Sequence, residues 1–220
     1  MSSSFLSLSL WGRQLTHHVD QLKKHVIDTV LTPPIPAEVF ESAADCLVHV
    51  SDTPALTYSS LFRLLEKIKP NVLIHTGDLV DQLKLGNHSY LHSLYQEKVE
   101  CFIRQLERMP VDTIYLVPGN HDDPDILTYT CQRSHVLSGS SLVNFGPFKL
   151  GVAHQPQNLP PGADFGLYGH SPDKPPANSG RPLSGLQSIN VLLANGNIYS
   201  IPYPRGTDVA RGIKIRPQKL

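Results

Sequence analysis

The sequence predicts a mixed α/β protein, a sandwich built on two sheets. Three observations predict it. Strand-like apolar runs alternate with helical stripes through the first half. Short apolar runs separated by Gly and Pro fill the second half. The composition, finally, leaves room for one sizeable core: 40% of the 220 residues are hydrophobic and 17% charged, against about 25% charged in average usage. The 19 Pro and 15 Gly stay well below the combined share of roughly 25–30% that marks low-complexity disorder. Lys plus Arg and Asp plus Glu number 19 each, so the net charge is zero. Neutrality argues against a nucleic-acid binder working through bulk positive charge and against an acidic solvating tail.

The elements follow in order. Thr16 to Leu31 carries Val19, Leu22, Val26 and Val30 at helical spacing, and Thr32-Pro33-Pro34 ends it, because Pro cannot continue a helix. Residues 1–40 therefore read as an N-terminal helical extension with a Pro-rich linker. The main domain is expected over 41–204. Cys46–Val50 is a short apolar run, a buried strand. Ser60 to Ile68 presents Leu61, Leu64, Leu65 and Ile68 as a helical stripe. Asn71–His75 is a second strand, Leu91 to Leu106 a second helix, and Thr113–Val117 a third strand. That alternation is the signature of βαβ units around a parallel sheet. Beyond it, Phe148–Ala153, Phe165–Tyr168, Ile189–Leu193 and Ile198–Tyr203 suggest a second, more antiparallel sheet. Residues 205–220, with Arg205, Arg211, Lys214, Arg216 and Lys219, read as a basic tail, solvated or lightly docked.

Cys46, Cys101 and Cys131 are few, odd in number and form no CxxC pair, so a reducing, cytoplasmic setting is the expectation. The first residues lack an early Lys or Arg and a cleavage site, which argues against a secretory signal. No run approaches the roughly 18 apolar residues of a membrane span.

The informative residues stand where apolar runs end. The first run meets Ser51-Asp52, the second Gly77-Asp78-Leu79-Val80-Asp81, the third Gly119-Asn120-His121-Asp122-Asp123. Later, Ala153 meets His154 and Gly169 meets His170. Ligands of open α/β sheets bind beyond the carboxyl ends of the strands. Oxygen donors mixed with imidazole suit Mn, Fe, Co, Ni or Zn better than Ca. Glycine before Asp78, Asn120 and His170 is expected to let the backbone turn sharply beside an ion. Asp81 and Asp123 read as loop and turn residues.

This order of motifs, Asp, GDxxD, GNHD, a lone His and Gly-His, resembles the calcineurin-like metallophosphoesterase superfamily over roughly Leu47 to Tyr203. The resemblance implies the two-sheet αββα sandwich of the metallo-dependent phosphatases and hydrolysis of phosphoric esters by metal-activated water. It implies Asp78 as the carboxylate bridging two cations, Asp52 as a ligand of the first, and Asn120, His154 and His170 as ligands of the second. His121 matches the histidine that contacts substrate and protonates the leaving oxygen, with Asp122 expected to orient it. The expected substrate is a phosphate-ester small molecule or a nucleotide-like one; neutral charge argues against nucleic acid as partner, and the lack of a long apolar run against a membrane.

Two motifs depart from the family pattern. Asp-x-His is replaced by Asp52-Thr53-Pro54, and Gly-His-x-His by Gly169-His170-Ser171-Pro172. Both missing histidines would serve the first cation, so one tight ion is expected, with a second weak or absent. His17, His18, His49, His75 and His88 are the other histidines that could substitute, although strand parity turns His49 and His75 away from the site. An eroded site also fits a second reading, a catalytically degenerate binding or scaffold protein on the same fold.

Overall fold

The computed structural model describes residues 34–42, 45–83 and 91–213. The expected helix at Thr16–Leu31, His17, His18, His88, and the basic residues Lys214, Arg216 and Lys219 lie outside the described residues. The described chain begins with α1 (Ala37–Glu41), β1 (Cys46–Val50), α2 (Ala55–Ile68), β2 (Val72–His75), α3 (His92–Leu106), β3 (Thr113–Leu116) and α4 (Pro124–Thr130). It continues through β4 (His135–Val136), β5 (Ser140–Phe145), β6 (Phe148–Ala153), a 3₁₀ turn at Pro156–Asn158, β7 (Phe165–Tyr168), β8 (Arg181–Ser184), β9 (Ile189–Leu193), β10 (Ile198–Ile201) and α5 (Thr207–Ala210).

Two sheets result. The first has six strands in the order β10-β9-β1-β2-β3-β4, and the second four in the order β5-β6-β7-β8. Strands β1 to β4 run parallel, with Val48 opposite Leu73 and Leu73 opposite Ile114. The later strands differ from the expected single antiparallel sheet. Strands β9 and β10 close the free edge of the first sheet, antiparallel to β1 and to each other. In the second sheet only β5 and β6 are antiparallel, and β6, β7 and β8 are parallel. The reason is burial: all five residues of β9 are buried. A continuous apolar run tells of cover on both faces and not of which sheet provides it.

The period of two sorts β1 between two cores. Cys46, Val48 and Val50 face the helices, with Leu61, Leu64, Leu65, Phe102, Ile103 and Leu106. Leu47 faces the second sheet, with Leu150, Val152, Phe165, Leu167 and Leu192. Helix α2 stops where Lys69 takes left-handed geometry at φ 50° and returns its N–H to the Leu65 carbonyl. Helix α4 starts on Asp123, whose carboxylate accepts from the N–H groups of Asp125 and Ile126, with Pro124 in the first turn. Asp123 is thus a helix cap, as a turn residue should be. The outer side of the second sheet carries the segment Leu159–Pro160, seated over Gly166 and Gly151. In the stretch expected to be a solvated or lightly docked tail, Thr207–Ala210 is helical and Arg211 is 4% exposed. No described helix is long and apolar enough to cross a membrane.

Candidate metal centre

The parallel ladder does not stop where the strands do. Past β1 and β2 the Thr76 N–H donates to the Val50 carbonyl, Asp52 N–H to Gly77, and Thr53 N–H to Asp78, all at 2.9–3.0 Å. The two loops are zipped together, and Asp52 and Asp78 occupy equivalent places in them. Four non-glycine described residues have positive φ, and three are predicted ligands: Asp52 at 52°, Asp78 at 54° and His170 at 61°. Asp and His are among the side chains that tolerate this region best. Strain of this kind persists only where the surroundings impose it, and it gathers at functional sites. The turn expected of the preceding glycines therefore falls largely on the ligands themselves. Gly77 does take φ 99°. Gly169 serves by its lack of a side chain, since a Cβ there would run into Ser51 Oγ and the Asp52 carboxylate.

Three donor atoms meet around a fourth, His154 Nε2. Its ring Nδ1 lies 2.7 Å from the Thr76 carbonyl, which can only accept, so Nδ1 carries the proton. In the neutral ring Nε2 then offers a lone pair. Asn120 Oδ1 lies 2.9 Å from it, His170 Nδ1 3.2 Å and Asp78 Oδ2 3.6 Å. Electron-pair donors converge in this way around a cation, and the fixed tautomer is what metal-binding histidines obtain from a carbonyl behind them. The mixed nitrogen and oxygen set fits a divalent transition metal.

Asp78 belongs to a second group. Carboxylate oxygens of Asp52, Asp78 and Asp81 lie within 4.8 Å of one another, and all three residues are buried. Burial first, then the carboxylates of Asp122 and Asp52, push the Asp78 carboxyl up to about 8, against the pull of the His121 N–H. That N–H reaches Asp78 Oδ1 at 3.0 Å. Asp52 Oδ2 accepts from the His170 N–H at 3.0 Å, which ties the two groups together.

All five predicted ligands come together, but Asp122 does something other than expected. Its Oδ1 accepts from Leu79 N–H and Tyr95 O–H, and its Oδ2 from Asp78 N–H and Gly119 N–H, at 2.7–3.0 Å. Those four donors occupy its lone-pair directions, so it clamps the two ligand loops instead of orienting His121. His49 and His75 brace the strand ends. His75 Nδ1 accepts from Gly77 N–H and its Nε2 meets Thr53 Oγ1 at 2.8 Å. His49 Nε2 meets Thr76 Oγ1 at 3.0 Å. Burial holds both rings down to about 3, hence neutral. Pro54 is the buried N-cap of α2, and Pro172 is exposed.

Sequence reasoning missed two contributors. Asp81 read as a loop residue because its partners, Asp52 and Asp78, are assembled only by the zipped loops. Arg211 read as tail, yet it donates to the carbonyls of Ser51 and Asp52. Basic residues near a chain end carry no signal of burial.

This sandwich, with its carboxylates and imidazoles at strand ends, defines a class. The calcineurin-like phosphoesterase family matches residues 47–216, and the chain belongs to that family. No curated protein matches it. Among solved structures, Yfce, a phosphoesterase from E. coli, is 16% identical, covering 73% of this chain and 100% of that one with a TM-score of 0.49. Vps29 from Entamoeba histolytica, complexed with Zn²⁺, is 20% identical, covering 70% and 90% with a TM-score of 0.39. A further structure at 10% identity covers 73% and 99% with a TM-score of 0.53. At such low identity this last likeness speaks for the fold alone.

Proposed function

We propose that the chain is a metal-dependent phosphoesterase. The observation that carries this reading is the meeting of Asp78, Asn120 and His170 on the lone-pair nitrogen of His154. These four residues would hold one divalent transition metal. Asp52, Asp78 and Asp81 would hold a second through oxygen alone, so this pocket, lacking the two histidines of the family pattern, is the weaker one. Bound cations of this kind polarise a phosphoryl oxygen and lower the pKa of water. The protein's own part is to hold the carboxylates in place, where a bound cation would displace the proton that burial favours on Asp78, and His121 supplies the proton to the leaving oxygen. A groove of about 450 Å³, lined by Pro118, Gly119, Pro124 and Val136 among others, opens one residue before Asn120. It would take the non-phosphate part of a small ester or nucleotide-like substrate. A larger cavity of about 580 Å³ between α3 and α4 is lined by none of the proposed ligands.

The second reading, a binding or scaffold protein without turnover, is favoured by the two lost histidines at Pro54 and Pro172. One experiment separates them. Metal per chain is measured by elemental analysis, alongside hydrolysis of bis(p-nitrophenyl) phosphate with added Mn²⁺. Bound metal with metal-dependent hydrolysis supports the enzyme. Bound metal with no hydrolysis of mono- or diesters favours the scaffold, and a chain that binds no metal removes both the site and the reaction.

A further inference from the structure

One buried cation reaches the metal centre from the far end of the chain. Arg211 follows α5, and its side chain is 1% exposed. Its Nε–H donates to the Asp52 carbonyl at 2.7 Å, Nη2 to the Ser51 carbonyl at 3.1 Å and Nη1 to the Leu186 carbonyl at 2.7 Å. The carboxylate of Asp208 lies 3.4 Å away but is 59% exposed, a weak counterion. The guanidinium carbon sits 4.3 Å from the centre of the Tyr203 ring. Tyr203 in turn accepts from the Ser51 N–H at 3.2 Å and donates to the Gly185 carbonyl at 2.7 Å.

We propose that Arg211 is a positioning residue of the metal centre: it locks the left-handed backbone of Asp52 and so keeps that carboxylate at the cation site. Left-handed geometry is unfavourable for any L side chain and needs outside support. On one side the support is the ladder to Gly77 and Asp78. On the other it is the planar fork of Arg211, whose N–H groups take two successive carbonyls at once. A lysine would bring the charge but not the fork. Since Asp52 also holds the His170 N–H, release of residue 52 loosens His170 as well. No described bond of Arg211 reaches Asp78, Asn120 or His154, so the oxygen pocket should weaken first. This proposal rests on the reading of Asp52 as a cation ligand.

The test uses the full chain and Mn²⁺ as probe, its binding followed by loss of the free-ion EPR signal and folding by circular dichroism. Wild type, Arg211→Lys, Asp52→Asn and the double variant are compared. Arg211→Lys is expected to fold and to weaken one Mn²⁺ site by about 10–100-fold, the range typical when a residue supporting a ligand is lost. The double variant should bind no more weakly than Asp52→Asn, because both changes act through one carboxylate. In Arg211→Ala, added methylguanidinium should restore part of the affinity. Tyr203→Phe, which removes the Ser51 bond and keeps the ring, should weaken the same site by a smaller factor. It carries the test if the Arg211 variants do not fold. Folded Arg211→Lys with wild-type Mn²⁺ binding, multiplying losses in the double variant, or unchanged binding in Tyr203→Phe overturns the proposal. If Asp52→Asn itself leaves Mn²⁺ binding intact, the metal reading of Asp52 fails, and this proposal with it.

Discussion

Asp78 is the residue on which the two donor groups meet. It contributes Oδ2 to the His154 group, and it stands within 4.8 Å of the donor atoms of Asp52 and Asp81. Replacing it with Ala should therefore strip metal from both, whereas Asp52→Ala should empty the oxygen pocket and only weaken the His154 group, through the lost bond to the His170 N–H. Elemental analysis of the two variants checks this, and equal retention would refute the shared role. His121 differs in kind. Its backbone N–H serves Asp78 whatever the side chain is. His121→Ala should accordingly keep its metal while turnover falls by about 10²–10⁴-fold, the usual range for general acid help. Loss of the ion in that variant would make His121 a ligand. Asp122 shows how a motif position can serve a different purpose from the one its motif suggests. Four donors claim its carboxylate, and its value lies in holding residues 78, 79 and 119 together.

Strands and loops explain why ligands far apart in sequence arrive together. β1 and β2 are parallel neighbours, so their carboxyl ends lie side by side and the ladder continues into the ligand loops. β7 brings Gly169 and His170 up against the first of those loops from the second sheet, with the Gly169 N–H on the His154 carbonyl. That approach is too close for a side chain. Gly169→Ala should push β7 away from Ser51 and Asp52, lower the melting temperature and weaken metal binding together. A variant with wild-type melting and wild-type metal content would show that the loops move apart freely.

For the whole molecule the consequence is a stability that depends on pH and metal in opposite senses. Asp78 releases its proton near 3.8 unfolded but near 8 folded, so the folded state binds the extra proton in between. Stability then falls as pH rises through that window. Burial raises the Asp122 carboxyl too, with the same sign. His49 and His75 act the other way: they protonate near 6.5 unfolded and near 3 folded, so stability falls as pH drops below 6.5. The metal-free protein should lose melting temperature from about pH 6.5 to 8. A cation competes with the Asp78 proton, so the rise in melting temperature on adding Mn²⁺ should be larger at pH 8 than at pH 6. Thermal melts with EDTA and with Mn²⁺ at the two values measure it, and a Mn²⁺ effect independent of pH would contradict the Asp78 assignment.

Much of this was legible in the chain. Apolar runs of strand length ending in Asp, Asn and His announced the sheet and the donor residues that gather at its end, because strand periodicity and donor chemistry are local properties. Strand parity also spoke against His49 and His75 as substitute ligands, and in the structure both rings are engaged with Thr76, Thr53 and Gly77. Three matters only the tertiary structure decided. β9 and β10 join the first sheet and not the second, because burial on both faces does not reveal which neighbour does the burying. Asp81 enters the carboxylate group through hydrogen bonds between loops that lie some 25 residues apart in the chain. Arg211 turns from tail into support because its partners are backbone carbonyls, which every residue carries and no sequence pattern marks.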